Sequence, residues 1–346
     1  MATSGSEQDR NLEPLRRFLI LGGSGFIGTR LAHLFVEQNI PFGIGDQRKS
    51  EAFPDRWTWC DVRKRETLAD LVRGGAVIIN LAAAHRDDVR PLSLYQETNV
   101  DGAANLCAAA RDAGTQRIVF TSSVAVYGFH PTPIDENGPF APFNEYGRTK
   151  LEAEAVYRAW ANEDPSRTLV IVRPTAVFGE GNRGNVYNLL QQIAAGRFLM
   201  VGDGKNKKSI AYVGNVAAFL MHVLALGPGT HIFNYADGPD LDTQTLVEYI
   251  RRSLGRDGSA FRVPMVAALA GGQIFDLVAR FTGRTFPMSA IRVRKFCENT
   301  QFLSARAAQS GFVPPFTLHQ GLARTIRFEF PSKTPLPSES PAAGSV

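Results

Sequence analysis

Cysteine is scarce in this chain of 346 residues, and what there is does not pair: Cys60, Cys107 and Cys297 lie far apart, and none belongs to a C-x-x-C. That spacing argues against a disulfide framework and a zinc site, and it fits a reducing cytoplasm. Long apolar runs are lacking too. The most membrane-like stretch, 263–281, carries Asp276, Arg280 and a Gly271-Gly272 pair, and so falls short of the ~20 clean apolar residues that a span needs. It reads as a packed amphipathic helix, with contact to a membrane surface as the other reading and no stable insertion expected. Residues 1–14 have neither a basic start nor an apolar core, so they read as a flexible N-terminus rather than a secretory signal. Blocks of like charge are missing as well. The net charge of +5 is spread along the chain, which gives a solvated surface with some preference for anions and argues against a nucleic-acid partner. The tail, 331–346, is Pro-, Ser- and Ala-rich with little to bury, and disorder is expected there.

What remains is a globular composition, 44% hydrophobic and 21% charged, on a chain long enough for one large or two modest domains. Its organising stretch runs from Arg17 to Ala32, RFLILGGSGFIGTRLA. An apolar run meets Gly22, Gly25 and Gly28 and then a helical pattern, which predicts strand, tight turn and helix. Such a turn can hold a pyrophosphate: Gly22 supplies the turn, Gly25 lets the main chain approach phosphate oxygens, and Gly28 lets helix pack on strand. The amides of the first helical turn, at Phe26, Ile27 and Gly28, then face the anion. The next predicted strand ends in Asp46, 18 residues after Gly28, where a carboxylate can accept hydrogen bonds from a ribose.

The alternation continues down the chain. Trp57–Val62 reads as a short strand ending in Asp61, either a cap for a helix over 63–72 or, with Val62, a partner for adenine. Strand 76–80 runs into Leu81, Ala82 and Ala83, whose small side chains let a flat ligand lie close; a helix over 92–113 carries Asn99, and 117–121 is another buried-type strand. The pattern predicts an α/β fold, a Rossmann-type doubly wound parallel sheet with its ligand at the C-terminal strand ends. Ser122 and Ser123 follow the last of these strands, and Tyr146 and Lys150 share a face at the head of a helix running through Trp160. An ammonium beside the tyrosine, together with an oxidised nicotinamide, favours the phenolate, and Ser123 can hold the same substrate oxygen, a relay suited to hydride transfer.

Together these residues resemble the extended short-chain dehydrogenase/reductases, the NAD-dependent epimerase/dehydratase family. The likeness spans about 18–328 and includes Asn99, Tyr127-Gly128, Arg173-Pro174 and the late Tyr212-Val213-Gly214-Asn215-Val216. It implies a cofactor domain over 15–174 and a smaller, mainly substrate-binding domain over 175–330, with some segments free to return to the first. Ser123, Tyr146 and Lys150 are then catalytic, and Pro174 lies against the nicotinamide. Dehydrating relatives carry an Asp-Glu pair after the catalytic Ser or Thr; here those positions are Val124 and Ala125, which disfavours dehydration and decarboxylation.

The resemblance also places substrate residues. Asn185, ahead of a helix over 186–195, matches the position that holds the diphosphate end of UDP-sugars, and Lys208 stands where those enzymes carry a phosphate-binding arginine. An exposed loop is the other reading of the lysines at 205–208. Asp46 implies NAD, while Arg48 and Lys49 leave NADP open. The implied activity is that of a cytoplasmic UDP-hexose or UDP-N-acetylhexosamine 4-epimerase working through a 4-keto sugar. A 4-keto nucleotide-sugar reductase and a 3-hydroxysteroid-type dehydrogenase are the alternatives, and a homodimer is implied by the family alone.

Overall fold

The computed structural model describes residues 18–86, 89–256, 260–271, 273 and 297–331. The N-terminus expected to be flexible, most of the tail, and residue 272 and residues 274–281 of the expected 263–281 helix lie outside them; of the described part of that helix, 265–271 is helical and Val263 ends a strand. The chain divides into two compact units. The first takes the chain up to Val177, Ser209–Gly238 and Gln301–Thr317; the second takes Phe178–Lys208, Pro239–Thr300 and the residues from Leu318 on.

A seven-stranded sheet, parallel throughout, forms the first unit. Its strands are β1 (Phe18–Leu21), β2 (Phe42–Asp46), β3 (Trp57–Trp59), β4 (Val77–Asn80), β5 (Arg117–Thr121), β6 (Thr168–Pro174) and a seventh, Gly229–Tyr235. Their order across the sheet is Gly229–Tyr235, β6, β5, β4, β1, β2, β3, with β1 paired to both β2 and β4. The order reverses between β1 and β4, the switch point where an open sheet of this kind takes its ligand. Strands covered on both faces must be continuously apolar. Accordingly, Leu19 and Leu21 pack with Ile118 and Phe120 on one face, and Ile20, Ile44 and Val119 pack on the other.

Four helices of this unit matter for the site: α1 (Phe26–Glu37), α2 (Arg65–Ala69), α3 (Gly102–Asp112) and α4 (Glu145–Asn162). Two expected elements are shorter. β3 stops at Trp59 rather than Val62, because this edge strand has a neighbour on one side only, and α2 covers five residues of the expected 63–72. The expected helix over 92–113 is interrupted by a wider, π-type turn at Gln96–Asp101, which contains Asn99.

The second unit contains the helices Asn185–Ala194, Thr243–Ser253 and Leu318–Glu329. Beside them are two short strand pairs: Lys207–Lys208 with Leu241–Asp242 is antiparallel, and Leu199–Val201 with Phe261–Val263 is parallel. Lys207 and Lys208 are therefore strand residues, not part of an open loop. Among the described residues, no helix is long and apolar enough to cross a membrane.

Candidate active site

The turn after β1 is closed from both sides. Gly22 has φ +75°, and a Cβ on it would stand 2.7 Å from the Ala82 nitrogen and 2.9 Å from the Leu81 carbonyl carbon. Only glycine fits, since the obstacles are backbone. A Cβ on Gly28 would meet the Gly22 oxygen at 2.6 Å, so that position sets how closely α1 approaches β1. Gly25 caps α1 with no side-chain hydrogen bond and no acidic residue in the first turn, which leaves the helix end suited to an anion. The Ser24 hydroxyl beside it is buried with no partner among the described residues. A buried orphan donor, an uncapped helix start and a switch-point crevice are what a dinucleotide's pyrophosphate fits.

Asp46, at the end of β2, accepts from the Ser24 amide at 3.1 Å and the Arg48 amide at 2.9 Å. The Arg48 guanidinium donates to the Ser24 carbonyl at 2.9 Å, so in this structure it braces the turn. Asp61 is buried and gripped by Arg63 through Nε–Oδ1 at 2.9 Å and Nη2–Oδ2 at 2.7 Å, with the Arg63 amide on Oδ1 at 3.0 Å. These bonds hold its carboxyl below the usual range. The capping reading does not hold: α2 begins after Lys64 with no side-chain cap, and Asp61 instead accepts from the Arg63 amide two residues on. Val62 packs against Gly102. Leu81 continues the ladder by donating to the Leu21 carbonyl at 2.9 Å, and Ala82 donates to Asn80 Oδ1 at 3.0 Å, so the 81–83 stretch is pinned at the switch point.

Asn99 is a clamp. Its side chain accepts from the Ala84 amide at 2.9 Å and donates to the Ala84 carbonyl at 3.0 Å and to Thr149 Oγ1 at 2.9 Å, tying the segment after β4 to α4.

Helix α4 starts at Asn144, whose side chain accepts from the Gly147 amide at 2.9 Å. A Cβ on Gly147 would come within 2.5 Å of the Ala125 carbonyl oxygen, so glycine permits the close approach of α4 to the turn holding Ser123. Ser123 Oγ accepts from the Ala125 amide at 3.1 Å, and Ser123 acts on the Tyr146 phenol. Lys150 is buried; its Nζ donates to the Thr121 carbonyl at 2.7 Å and lies 4.6 Å from the centre of the Phe120 ring. Burial pushes the Tyr146 phenol up to about 12, partly offset by Ser123. It pushes the Lys150 ammonium down to about 7, against the pull of Glu154. Desolvation opposes charge on both groups. Pro174 ends β6, buried, beside Tyr235 of the seventh strand.

The structure thus brings Ser123, Tyr146 and Lys150 together. Asn185 and Lys208 belong to the second unit. Asn185 is exposed at the first position of its helix. Lys208 donates through Nζ to the Glu298 carbonyl at 2.6 Å, and burial pushes it down to about 8.

Sequence reasoning gave no role to Glu154 and Arg173, which form a fully buried ion pair, Nε–Oε1 2.8 Å and Nη2–Oε2 2.5 Å, with the Ser122 hydroxyl donating to Glu154 Oε1 at 2.6 Å. The signal available was Glu154 standing four residues beyond Lys150, on the same helix face.

Comparison with known proteins agrees with this geometry. N-acetyl-alpha-D-glucosaminyl-diphospho-ditrans,octacis-undecaprenol 4-epimerase of Escherichia coli O157:H7 is 45% identical over 316 residues, 90% of this chain and 95% of that protein. UDP-glucose 4-epimerase of Vibrio cholerae is 28% identical over 327 residues, again 90% and 95%. The fold is that of the UDP-glucose 4-epimerase of Thermus thermophilus, solved with NAD, at TM-score 0.70 and 20% identity over 90% of this chain and 98% of that one. The sequence profile of the NAD dependent epimerase/dehydratase family matches residues 18–236, the stretch that holds the glycine turn, Asp46, Ser123, Tyr146 and Lys150; the chain belongs to that family.

Proposed function

We propose that the protein is an NAD-dependent 4-epimerase acting on an N-acetylhexosamine carried on a diphosphate. The observation that carries the reading is the 45% identity to a 4-epimerase over nearly its whole length, joined to Ser123 acting on the Tyr146 phenol with Lys150 one helical turn away. The residues that would hold NAD are the Gly22–Gly28 turn, Asp46, Asp61, Val62, the 81–83 stretch, Asn99, Tyr146, Lys150 and Pro174. NAD held there would supply a reversible hydride acceptor for the sugar C4.

The chain's own residues handle the proton. Tyr146 Oη removes the C4 hydroxyl proton and gives it back after the 4-keto sugar has turned, Ser123 Oγ holds the same oxygen, and Lys150 stabilises the phenolate. Asn185 and Lys208 are assigned to the diphosphate, Lys208 as a point charge.

The group beyond the diphosphate separates two readings. The Escherichia coli relative acts, by its name, on a polyprenyl-linked sugar, and the identity to it supports that class over a UDP-sugar. The test is proton NMR of purified protein incubated in parallel with UDP-N-acetylglucosamine and with N-acetylglucosaminyl diphosphate on a short polyprenol. Appearance of the C4 epimer in either arm supports 4-epimerisation and names the carrier. Both sugars returning unchanged with NAD supplied overturns it. A cytoplasmic location and a homodimer belong to the same proposal, and light scattering tests the second.

A further inference from the structure

The segment that carries Ser123 is buried at both ends, Ser122 and Tyr127, and half-buried over Ser123, Val124 and Ala125. A tight turn over Val124–Val126 starts at Ser123, whose carbonyl accepts from the Val126 amide at 3.3 Å and whose Oγ accepts from the Ala125 amide at 3.1 Å. These bonds fix Ser123 within the turn, and the two ends fix the turn on the sheet. At the first, the Ser122 amide donates to the Val172 carbonyl of β6 at 2.7 Å, and the Ser122 hydroxyl donates to Glu154 Oε1 at 2.6 Å. At the second, the Tyr127 hydroxyl accepts from Arg173 Nη1 at 2.5 Å and donates to Asn234 Oδ1 of the seventh strand at 2.8 Å. Arg173 serves both ends, because its Nε and Nη2 hold Glu154 at 2.8 and 2.5 Å.

We propose that Tyr127 and Arg173 are positioning residues for Ser123: one guanidinium ties the two ends of the turn together, Ser122 through Glu154 and Tyr127 directly, and so sets where Ser123 Oγ stands when it holds the substrate oxygen. The idea rests on the role given to Ser123 in the proposed function. Arg173 is fully buried in a strand, TLVIVRP, that is otherwise nearly apolar. Stability alone is a weak reason for it, since well-packed apolar residues commonly replace a buried ion pair without loss. Apolar residues supply no direction, however, whereas a guanidinium presents its donors in a rigid planar fork. Here two of its nitrogens are spent on the carboxylate that holds Ser122 and the third on the hydroxyl at the other end of the turn. A group that holds a reacting oxygen acts through its placement, and about 1 Å of misplacement can cost on the order of 10²-fold in rate. Loosening one end of the turn therefore shows in turnover.

The experiment is a double-mutant cycle of Tyr127→Phe and Ser123→Ala on the full chain with NAD supplied, with kcat and KM measured on whichever of UDP-N-acetylglucosamine and the polyprenol-linked sugar the wild type epimerises. Tyr127→Phe keeps the ring and removes only the hydroxyl. It is expected to lower kcat about tenfold with KM near wild type, and to cost less than about twofold once Ser123→Ala has left no hydroxyl to place. A hydroxyl that merely supports the fold would cost the same in both backgrounds. Should Tyr127→Phe fail to fold, Ser122→Ala releases the other end of the turn, leaves the Glu154–Arg173 pair whole and carries the same expectation. A folded variant that keeps wild-type kcat, or that loses as much without Ser123 as with it, overturns the proposal. If the wild type epimerises neither sugar, or if Ser123→Ala turns over like the wild type, the proposed function or its use of Ser123 falls and takes the positioning with it; if Ser123→Ala is slow and Tyr127→Phe costs the same in both backgrounds, only the positioning falls.

Discussion

Lys150 gives the most quantitative test of the site. It is 2% exposed and is pushed from an ordinary 10.5 down to about 7. Between those values the unfolded chain holds a proton that the folded protein has released, so stability rises with pH across this window. Each full unit is worth 1.36 kcal/mol. From pH 7, where the folded group is half protonated, to pH 9, the gain from Lys150 is therefore about 2 kcal/mol. Lys150→Met removes this slope while keeping an unbranched apolar stem. Urea unfolding of cofactor-free protein at pH 7, 8 and 9 measures it, followed by tryptophan fluorescence, because Trp57, Trp59 and Trp160 all lie in the first unit. Wild type should gain about 2 kcal/mol more than the variant over that range. Lys208, pushed down to about 8, lies in the second unit, and Cys60 and Cys107, raised by burial, are common to both proteins and cancel. Tyr146, raised to about 12, adds nothing below pH 9. Losing the Thr121 hydrogen bond shifts the variant's whole curve without tilting it. Parallel stability curves would refute the claim that Lys150 is desolvated in the folded protein.

Tyr146→Phe should lower kcat by about 10²–10⁴ while leaving NAD affinity near wild type, since the phenol acts on the proton in flight; turnover and a fluorescence titration with NAD read the two effects separately. Arg173→Met strands a buried Glu154 carboxylate and should cost about 3–5 kcal/mol in urea unfolding, whereas adding Glu154→Gln should recover part of that loss. Asp46→Ala should weaken NAD about tenfold or more by removing a charged acceptor, and unchanged NAD affinity would sink the ribose assignment. Gly22→Ala places a side chain at φ +75° against the backbone of 81–82; loss of NAD binding together with a lower melting temperature is the expected result, and a variant that binds NAD normally would show that the turn can open.

How far the sequence could be read depended on whether an element is defined by its own residues or by its neighbours. β1, β4 and β5 read directly as FLIL, VIIN and RIVFT, because strands covered on both faces must be apolar at nearly every position. The glycine turn was legible for a similar reason: the obstacles around Gly22 and Gly28 are backbone atoms of the turn itself and of the strand beside it, so the glycines cannot be replaced. Tyr146 and Lys150 took their meaning from the Ser122-Ser123 strand end and the glycine turn before them, because Tyr-x-x-x-Lys alone fits any solvated helix. What stayed hidden is tertiary. Glu154 looks like one more surface charge between Lys150 and Arg158 until β6 is laid beside β5 and Arg173 arrives from an otherwise apolar strand. Periodicity over 92–113 could not distinguish a regular helix from one widened at Gln96–Asp101, since the apolar face survives the wider turn. The seventh strand, Gly229–Tyr235, is an edge of the sheet that only its parallel register with β6, Phe233 beside Val172, reveals. The residues proposed to carry the chemistry were therefore the easier half to find. The buried charges of Glu154 and Arg173 speak only through partners distant in sequence, so they come to light only once β6 and α4 are seen side by side.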